Sequence, residues 1–468
     1  MSRATPPSEP AEDAGAARLL HRAYGSARIA AQIPGQRRAP FLPVGRLREL
    51  RDRRVRDTVR YAAASVPYYR RLFLDLGIDP HGIRTADDLD RLPLLDKAQV
   101  RENPEDFLST ARRASPSVSL RTSGSTGEPL TVRHDIASVL DNVAYSERER
   151  EVIRRALGGK ARFRSMALGY RGSTGDEVRA LLHRHALIPH VSTREKASPE
   201  DRIEEILGGI DRFRPDVVVG NGAFLEAVFR EVAHRGARIH LPRVVIYHGQ
   251  AMGDPGREFF ERELGIPVYS RYNAVEAFKI GFTCEERQAF HLNSDLTHVR
   301  IVDADGKPCA AGQTGEVIIS NLVNRATVLL NYRLHDVAAL SDELCACGRT
   351  LPLLSDLEGR LEEILPLAEG RFLGPRAIWR IFKTEPDVLQ YQLVQERIDR
   401  YLLRLRTTDQ AAFERVVPPA LGRLRELLGP GSEVVASRHA RLEGLEPGKF
   451  RPVMSRVLPG GLTGTKPE

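Results

Sequence analysis

The sequence predicts an α/β protein, with a large domain of mixed sheets and flanking helices followed by a small α+β C-terminal domain. Three observations predict it. Between Ser198 and His248 an amphipathic helix, a short apolar run, a second helix and a second apolar run alternate at the pacing of parallel strands joined by helical crossovers. Beyond residue 297 short strand-like runs dominate. From about residue 361 the chain carries two strands and a helix of its own, enough for a separate small domain. The expected boundaries are 1–15 disordered, 16–360 large domain, 361–457 small domain and 458–468 disordered tail.

Residues 1–15 are rich in Pro, Ala, Ser, Glu and Asp, a composition that cannot bury enough apolar surface to order itself. Residues 46–60 form a basic helical segment running into Ala62–Ser65, with Leu47, Leu50 and Val59 facing inward. Its arginines read as a solvated face with i,i+4 pairs rather than a nucleic-acid surface. The stretch Arg121-Thr122-Ser123-Gly124-Ser125-Thr126-Gly127-Glu128-Pro129-Leu130 lies between two β-favouring runs, Val118–Leu120 and Leu130–Val132. Its glycines admit a bulky ligand to the backbone, and its hydroxyls and bare N–H groups can donate to anionic oxygen. That is the chemistry of a phosphate-holding loop, with a plain polar hairpin as the competing reading. No Lys-Ser/Thr follows the last glycine, so it is not a Walker loop.

Ile203, Ile206, Leu207 and Ile210 give the helix between Ser198 and Pro215 its apolar face. Asp216–Gly220 reads as a buried strand, Ala223–His234 as a helix, and Arg243–His248 as the next strand. Gly249-Gln250-Ala251-Met252 then falls where that strand ends, the usual place for a ligand in such sheets. His248, which ends that strand, reads as a satisfied core histidine, with contact to a substrate as the alternative. In Tyr269–Glu276 the Tyr272 ring can stack on a base, and Glu276, four residues on, can hold Mg²⁺ beside a phosphate. Val299–Val302, the turn Asp305-Gly306 and Gly315–Ser320 read as hairpin elements. Asp336 follows a strand and suits vicinal ribose hydroxyls; Arg360 is a cation just before the domain boundary, and Lys449 stands on a glycine-led loop. Leu389–Val394, Arg400–Leu405 and Ala411–Leu428 are the strands and helix of the small domain.

Composition excludes several classes. A formal charge of +8, from 70 basic and 62 acidic residues over 468, is a mild excess that carries no nucleic-acid signature. Four cysteines argue against a disulfide framework. No window approaches the length of apolar chain a membrane span requires, and Pro, Glu and Asp break any signal-peptide core near the N-terminus, so a cytoplasmic location is expected. Cys284 and His291, with Cys345 and Cys347 downstream, supply three thiols and an imidazole, the ligand set of a closed structural zinc site. Buried free thiols are the competing reading. Cys309 stands apart. His335 precedes Asp336 without a nucleophile elbow, which argues against triad chemistry.

Taken in order, the glycine/hydroxyl loop, Tyr272-x-x-x-Glu276, Asp336, Gly359-Arg360 and Gly448-Lys449 resemble the adenylate-forming (AMP-binding) ligase superfamily, most of all the phenylacetate–CoA ligases and their capsule-biosynthesis relatives. Ser65–Arg70, Leu92–Lys97 and Gly448-Lys449-Phe450 extend the resemblance from about residue 45 to 456. It implies a two-step reaction. A carboxylic acid, aryl or arylacetic by this likeness, attacks the α-phosphate of ATP to give an acyl-AMP, and an acceptor then displaces AMP. By position, Ser123, Gly124, Ser125, Thr126 and Gly127 hold the phosphates. Gly249, Gln250, Tyr272 and Asn273 border the adenine, Glu276 helps hold Mg²⁺, and Asp336 with Arg360 holds the ribose. Lys449 stabilises charge at the α-phosphate, and the small domain swings about Gly359-Arg360 between half-reactions. The family also carries zinc at such cysteine and histidine positions.

The chain departs from the pattern in places. Glu128 and Leu130 stand at commonly basic positions, Asn273-Ala274 replaces a glycine after the tyrosine, Glu362-Glu363 follows Gly-Arg where Asp is typical, and 366–376 lacks a glycine-rich loop. These departures leave adenylation in place and bear on the acceptor. CoA is the acceptor the likeness implies; an amine, a hydroxyl or a carrier thiol are alternatives, as is a non-catalytic nucleotide-binding relative. Relatives include dimers, and the sequence leaves the oligomeric state open.

Overall fold

The computed structural model describes residues 11–113, 115–122, 130–187, 192–249, 252–360, 365–367, 372–382, 385, 387–440, 442 and 451–457. The chain divides into two units. One comprises residues up to 298 with 320–330 and 344–351; the other comprises 299–319, 331–343 and everything from 352 onward. Among the described residues no helix is long and apolar enough to cross a membrane.

In the first unit a helix spans Ala11–Arg38 and so begins inside the stretch expected to be disordered. The alanines of that segment favour helix and outweigh its charge and polarity. The basic segment forms the helix Val44–Ser65, which buries Leu47, Val55, Thr58, Val59 and Ala62, while Leu50 is only half-buried.

Five parallel strands follow in the spatial order Ser192–Ala197, Phe163–Leu168, Val217–Gly220, Val244–His248 and Val268–Ala274. Two antiparallel strands, Phe278–Thr283 and Phe290–Leu292, extend this part of the sheet. The run at Val217 is apolar at every position because helices cover both faces. Val218, Val245 and Val268 join Ile206, Ile210, Leu225 and Phe229 in one core, whereas Val217, Val244, Ile246 and Tyr269 join Leu47, Val152, Ile153 and Phe282 in another. That alternation is the period of two of a pleated strand. The amphipathic helix begins at Ile203, later than Ser198, because Asp201 accepts the Ser198 amide and closes a turn ahead of it. Gly220 ends its strand where a Cβ would come within 2.4 Å of the Leu168 carbonyl, so no larger residue fits.

In the second unit, Gly315–Asn321 pairs antiparallel with Tyr332–Ser341, which pairs antiparallel with Leu353–Arg360. The expected turn at Gly306 is present, with φ of 79° and a bridge from Val302 to Pro308. The C-terminal part has Val388–Arg397 antiparallel to Arg400–Thr407, flanked in parallel by Val453–Ser455 and Glu433–Arg438. The helix Gln410–Leu428 packs on them through Val416, Ala420, Leu424 and Leu428, against Leu393, Tyr401, Leu403 and Leu405. These ranges agree with the sequence expectation to within a few residues.

Candidate functional site

The glycine/hydroxyl stretch is carried by a hairpin. Ser117–Arg121 pairs antiparallel with Thr131–Asp135, and two bonds close its mouth: Thr122 N–H donates to Leu130 O and Leu130 N–H to Thr122 Oγ1, each 2.9 Å. Leu120, Leu130 and Val132 are buried and fix both arms. Ser123, Gly124, Ser125, Thr126 and Gly127 lie outside the described residues, as do Gln250 and Lys449.

The hairpin is tied to the Tyr272/Glu276 segment. His134, fully buried on the second arm, bonds through Nε2 to the carbonyl of Val275 at 2.8 Å. Burial pushes its pKa down to about 4, so at neutral pH the ring is uncharged and Nε2–H is the donor. Asn321 Nδ2 donates to the Glu276 carbonyl at 2.8 Å. Asn324 Nδ2 donates to the Arg133 carbonyl, also at 2.8 Å, and the Arg325 amide to Asp135 Oδ2. The hairpin and the Tyr–Glu turn are thus one hydrogen-bonded construction, which the sequence order alone does not reveal. Changing His134 to Ala orphans the Val275 carbonyl and should cost about 1–3 kcal/mol, read by thermal unfolding.

Tyr272 and Glu276 are both largely buried, at 6% and 7% exposed, and the Tyr272 ring packs 5.9 Å from that of Phe290. With its amide turned so that the nitrogen faces them, Asn273 donates to the carbonyls of Phe278 and Tyr272 (2.9 and 3.0 Å) and closes the turn from within. Gly249, at the end of the strand Val244–His248, has φ of 77°, which its lack of Cβ allows. In the second unit the register sets Asp336 directly opposite Arg360, so two residues far apart in sequence become cross-strand neighbours. Just before Asp336, His335 adopts φ of 60° beside a break in the register, and its Nδ1 stands 3.2 Å from Glu316. A non-glycine residue held in that region re-aims the residue after it.

The four predicted zinc ligands converge. The Sγ atoms of Cys284, Cys345 and Cys347 and a ring nitrogen of His291 all lie within 4.8 Å of one another, with Cys284 Sγ 3.5 Å from Cys345 Sγ and Cys347 Sγ 3.4 Å from His291 Nε2. Ligands about 2.0–2.3 Å from a tetrahedral ion are spaced this way. Cys309 is not part of the group. Beside it Arg349, 1% exposed, forks onto Glu285 and lies over the Phe41 ring.

A second charged cluster escaped the sequence reading. Glu149, on the helix Glu147–Ala156, is 3.0 Å from Arg271 Nε and 2.8 Å from Lys279 Nζ. Burial alone would raise the Glu149 pKa, but the Arg271 and Lys279 cations outweigh it and hold it down to about 2. The run Glu-Arg-Glu-Arg-Glu looks like a wet surface in sequence; only Tyr145, Val152 and Ile153, buried one turn either way, mark Glu149 as facing inward. His248 differs from expectation. It is exposed rather than a core residue and makes no hydrogen bond to another described residue, yet surrounding protein, then Arg271 and Lys279, push its pKa down to about 4.

The fold is like that of 2-hydroxyisobutyryl-CoA ligase. A crystal structure of 2-hydroxyisobutyryl-CoA ligase in the postadenylation state matches with a TM-score of 0.71 at 17% identity, over 90% of this chain and 92% of that one. An open conformation of the same enzyme matches with a TM-score of 0.65 at 17% identity, over 89% and 93%. In sequence the chain is similar to phenylacetate–coenzyme A ligases. It is 27% identical over 370 residues to that of Thermus thermophilus and 26% identical over 367 to that of Escherichia coli, in each case across 76% of this chain and 80% of the relative. No protein-family model matches.

Proposed function

We propose that this chain is an ATP-dependent acyl-CoA ligase that converts a carboxylic acid, of the aryl or arylacetic class, to an acyl-AMP and passes the acyl group to CoA. The observation that carries this reading is the bond from His134 to the Val275 carbonyl, which holds the glycine/hydroxyl hairpin against the Tyr272–Glu276 turn. A nucleotide reaction needs those two segments fixed together: one to grip phosphates, the other to supply a ring and a metal-binding carboxylate. The similarity to phenylacetate–CoA ligases supports it over most of the chain.

In this reading Ser123–Gly127 hold the β- and γ-phosphates, and Gly249, Gln250, Tyr272 and Asn273 border the adenine. Glu276 helps hold Mg²⁺, which would supply charge neutralisation at the phosphates. Asp336 and Arg360 hold the ribose, and Lys449 stabilises the α-phosphate during adenylation. The segment 361–457 moves between half-reactions about Gly359-Arg360. Zinc held by Cys284, His291, Cys345 and Cys347 is structural, because four protein ligands leave no open position.

ATP–pyrophosphate exchange tests the reading. Exchange should depend on added acid, fall at least about a hundredfold in Glu276→Gln and vanish in Lys449→Ala. Exchange independent of any acid, or unaffected by both substitutions, would sink it. Thioester formed with CoA and no amide formed with a simple alkyl amine at matched concentration identifies the acceptor.

A further inference from the structure

We infer that the acid this site adenylates carries a second, anionic group, and that Lys279 with Arg271 is its anchor. This rests on the adenylation reading above. The cluster is placed where an acyl chain would lie. Arg271 precedes Tyr272 in its strand and is in register with His248, the last residue of the neighbouring parallel strand. Lys279 follows Glu276 by three residues and is paired with Asn273 across the antiparallel strand. Ligands of open α/β sheets bind beyond the carboxyl ends of parallel strands, which is where His248 and Gly249 stand.

Charge points the same way. Among the described residues Glu149 is the one carboxylate that either cation meets, so the group holds two positive charges against one negative. Nearby Arg150 is engaged by Glu147, which Arg37 also meets, and adds nothing to offset the surplus. An ion cluster kept for stability alone is best when it is neutral, because an uncompensated buried charge costs heavily. Here Lys279 and Arg271 are only 18% and 20% exposed, and burial already pushes the Lys279 amine below its ordinary value. A surplus cation in that setting is relieved by an anion arriving at the exposed strand end marked by His248, the register partner of Arg271. Glu149 then acts as the fixed counter-charge that holds both cations in place, and the ligand supplies the missing negative charge. A carboxylate remote from the reacting carboxyl meets this demand, as does any compact anionic substituent.

The test compares two neutral-tailed acids, phenylacetate and 4-methylphenylacetate, with 4-carboxyphenylacetate in ATP–pyrophosphate exchange, using the full chain with Mg²⁺. The wild type should favour the dianion by kcat/KM. Lys279→Met leaves Arg271 and Glu149 as a matched pair, so the fold should survive, as thermal unfolding will verify. The ratio of kcat/KM for 4-carboxyphenylacetate over 4-methylphenylacetate should fall about ten- to a hundredfold in that variant, and Lys279→Arg should restore much of it. A wild type that prefers the neutral acids, or a ratio that Lys279→Met leaves unmoved, overturns the inference while leaving adenylation intact. No exchange with any of the three acids, together with no binding of ATP by calorimetry, overturns both.

Discussion

Replacing His291 with alanine should lower the stability of the chain by several kcal/mol and abolish stoichiometric zinc, with Cys345→Ser behaving alike. The physical case is the convergence of four ligand atoms from three separated stretches: Cys284 after the strand Phe278–Thr283, His291 within the strand Phe290–Leu292, and Cys345 and Cys347 in the turn that precedes Leu353. Without an ion, this is an awkward set to bury. Desolvation pushes the Cys284 thiol up to about 12, while the His291 ring is pushed down to about 4 and kept neutral. A divalent ion resolves both, since it binds thiolate and neutral imidazole. Elemental analysis of the purified protein should therefore find one zinc per chain, and a chelator should lower the melting temperature. Metal-free wild-type protein of unchanged stability would remove zinc from the account and leave three thiols and an imidazole as ordinary packing groups.

Much of the fold was legible because it rests on short-range signals. Ile203, Ile206, Leu207 and Ile210 fall one turn apart, and Val217–Gly220 is apolar throughout, so helix and buried strand announce themselves. The same holds for Val388–Arg397, Arg400–Thr407 and the helix after them. The convergence of Cys284, His291, Cys345 and Cys347 was legible for another reason: thiols are scarce in this chain, and scarcity makes their spacing informative. What sequence did not disclose depends on long-range pairing. Nothing in Thr131–Asp135 announces that His134 will reach the Val275 carbonyl, because a lone histidine on a β-run is ordinary. Glu149, Arg271 and Lys279 each look like solvated charge, and only folding reveals that they share one buried place. The expectation for His248 failed on the same ground, since a strand's last residue is core or rim according to what caps it.

Changing Asp295 to Ala should cost about 3–5 kcal/mol of stability. Asp295 is 2% exposed and takes both Arg148 Nη1 and Nη2, at 2.7 and 2.9 Å, in a fork, with Arg54 on the same carboxylate at 3.1 Å. Arg148 is equally buried and also engages Gln36 and Asn293, so it joins the N-terminal helix to the helix Glu147–Ala156 and to the segment after His291. Removing the carboxylate leaves a guanidinium in the interior with only neutral partners. Arg148→Met with Asp295→Leu should recover part of the loss, because the paired removal strands no charge. The pH dependence follows from the same geometry. Burial would raise the Asp295 pKa, but Arg148 and then Arg54 outweigh it and hold the carboxyl below its ordinary value. Its contribution is therefore complete above the unfolded value of about 3.9 and is lost as pH falls through the folded one. Glu149, held down to about 2, acts in the same sense, its contribution fading between about 4.3 and that value. Denaturant unfolding measured from pH 7 to pH 3 should thus show stability falling as pH drops through about 6.5, where His134 and His248 of the unfolded chain take up protons that the folded rings, held down to about 4, refuse, with a further fall below about pH 4 that is reduced in Asp295→Asn. An Asp295→Asn profile that falls below about pH 4 as steeply as the wild type would show that the Arg148–Asp295 fork contributes no net stability.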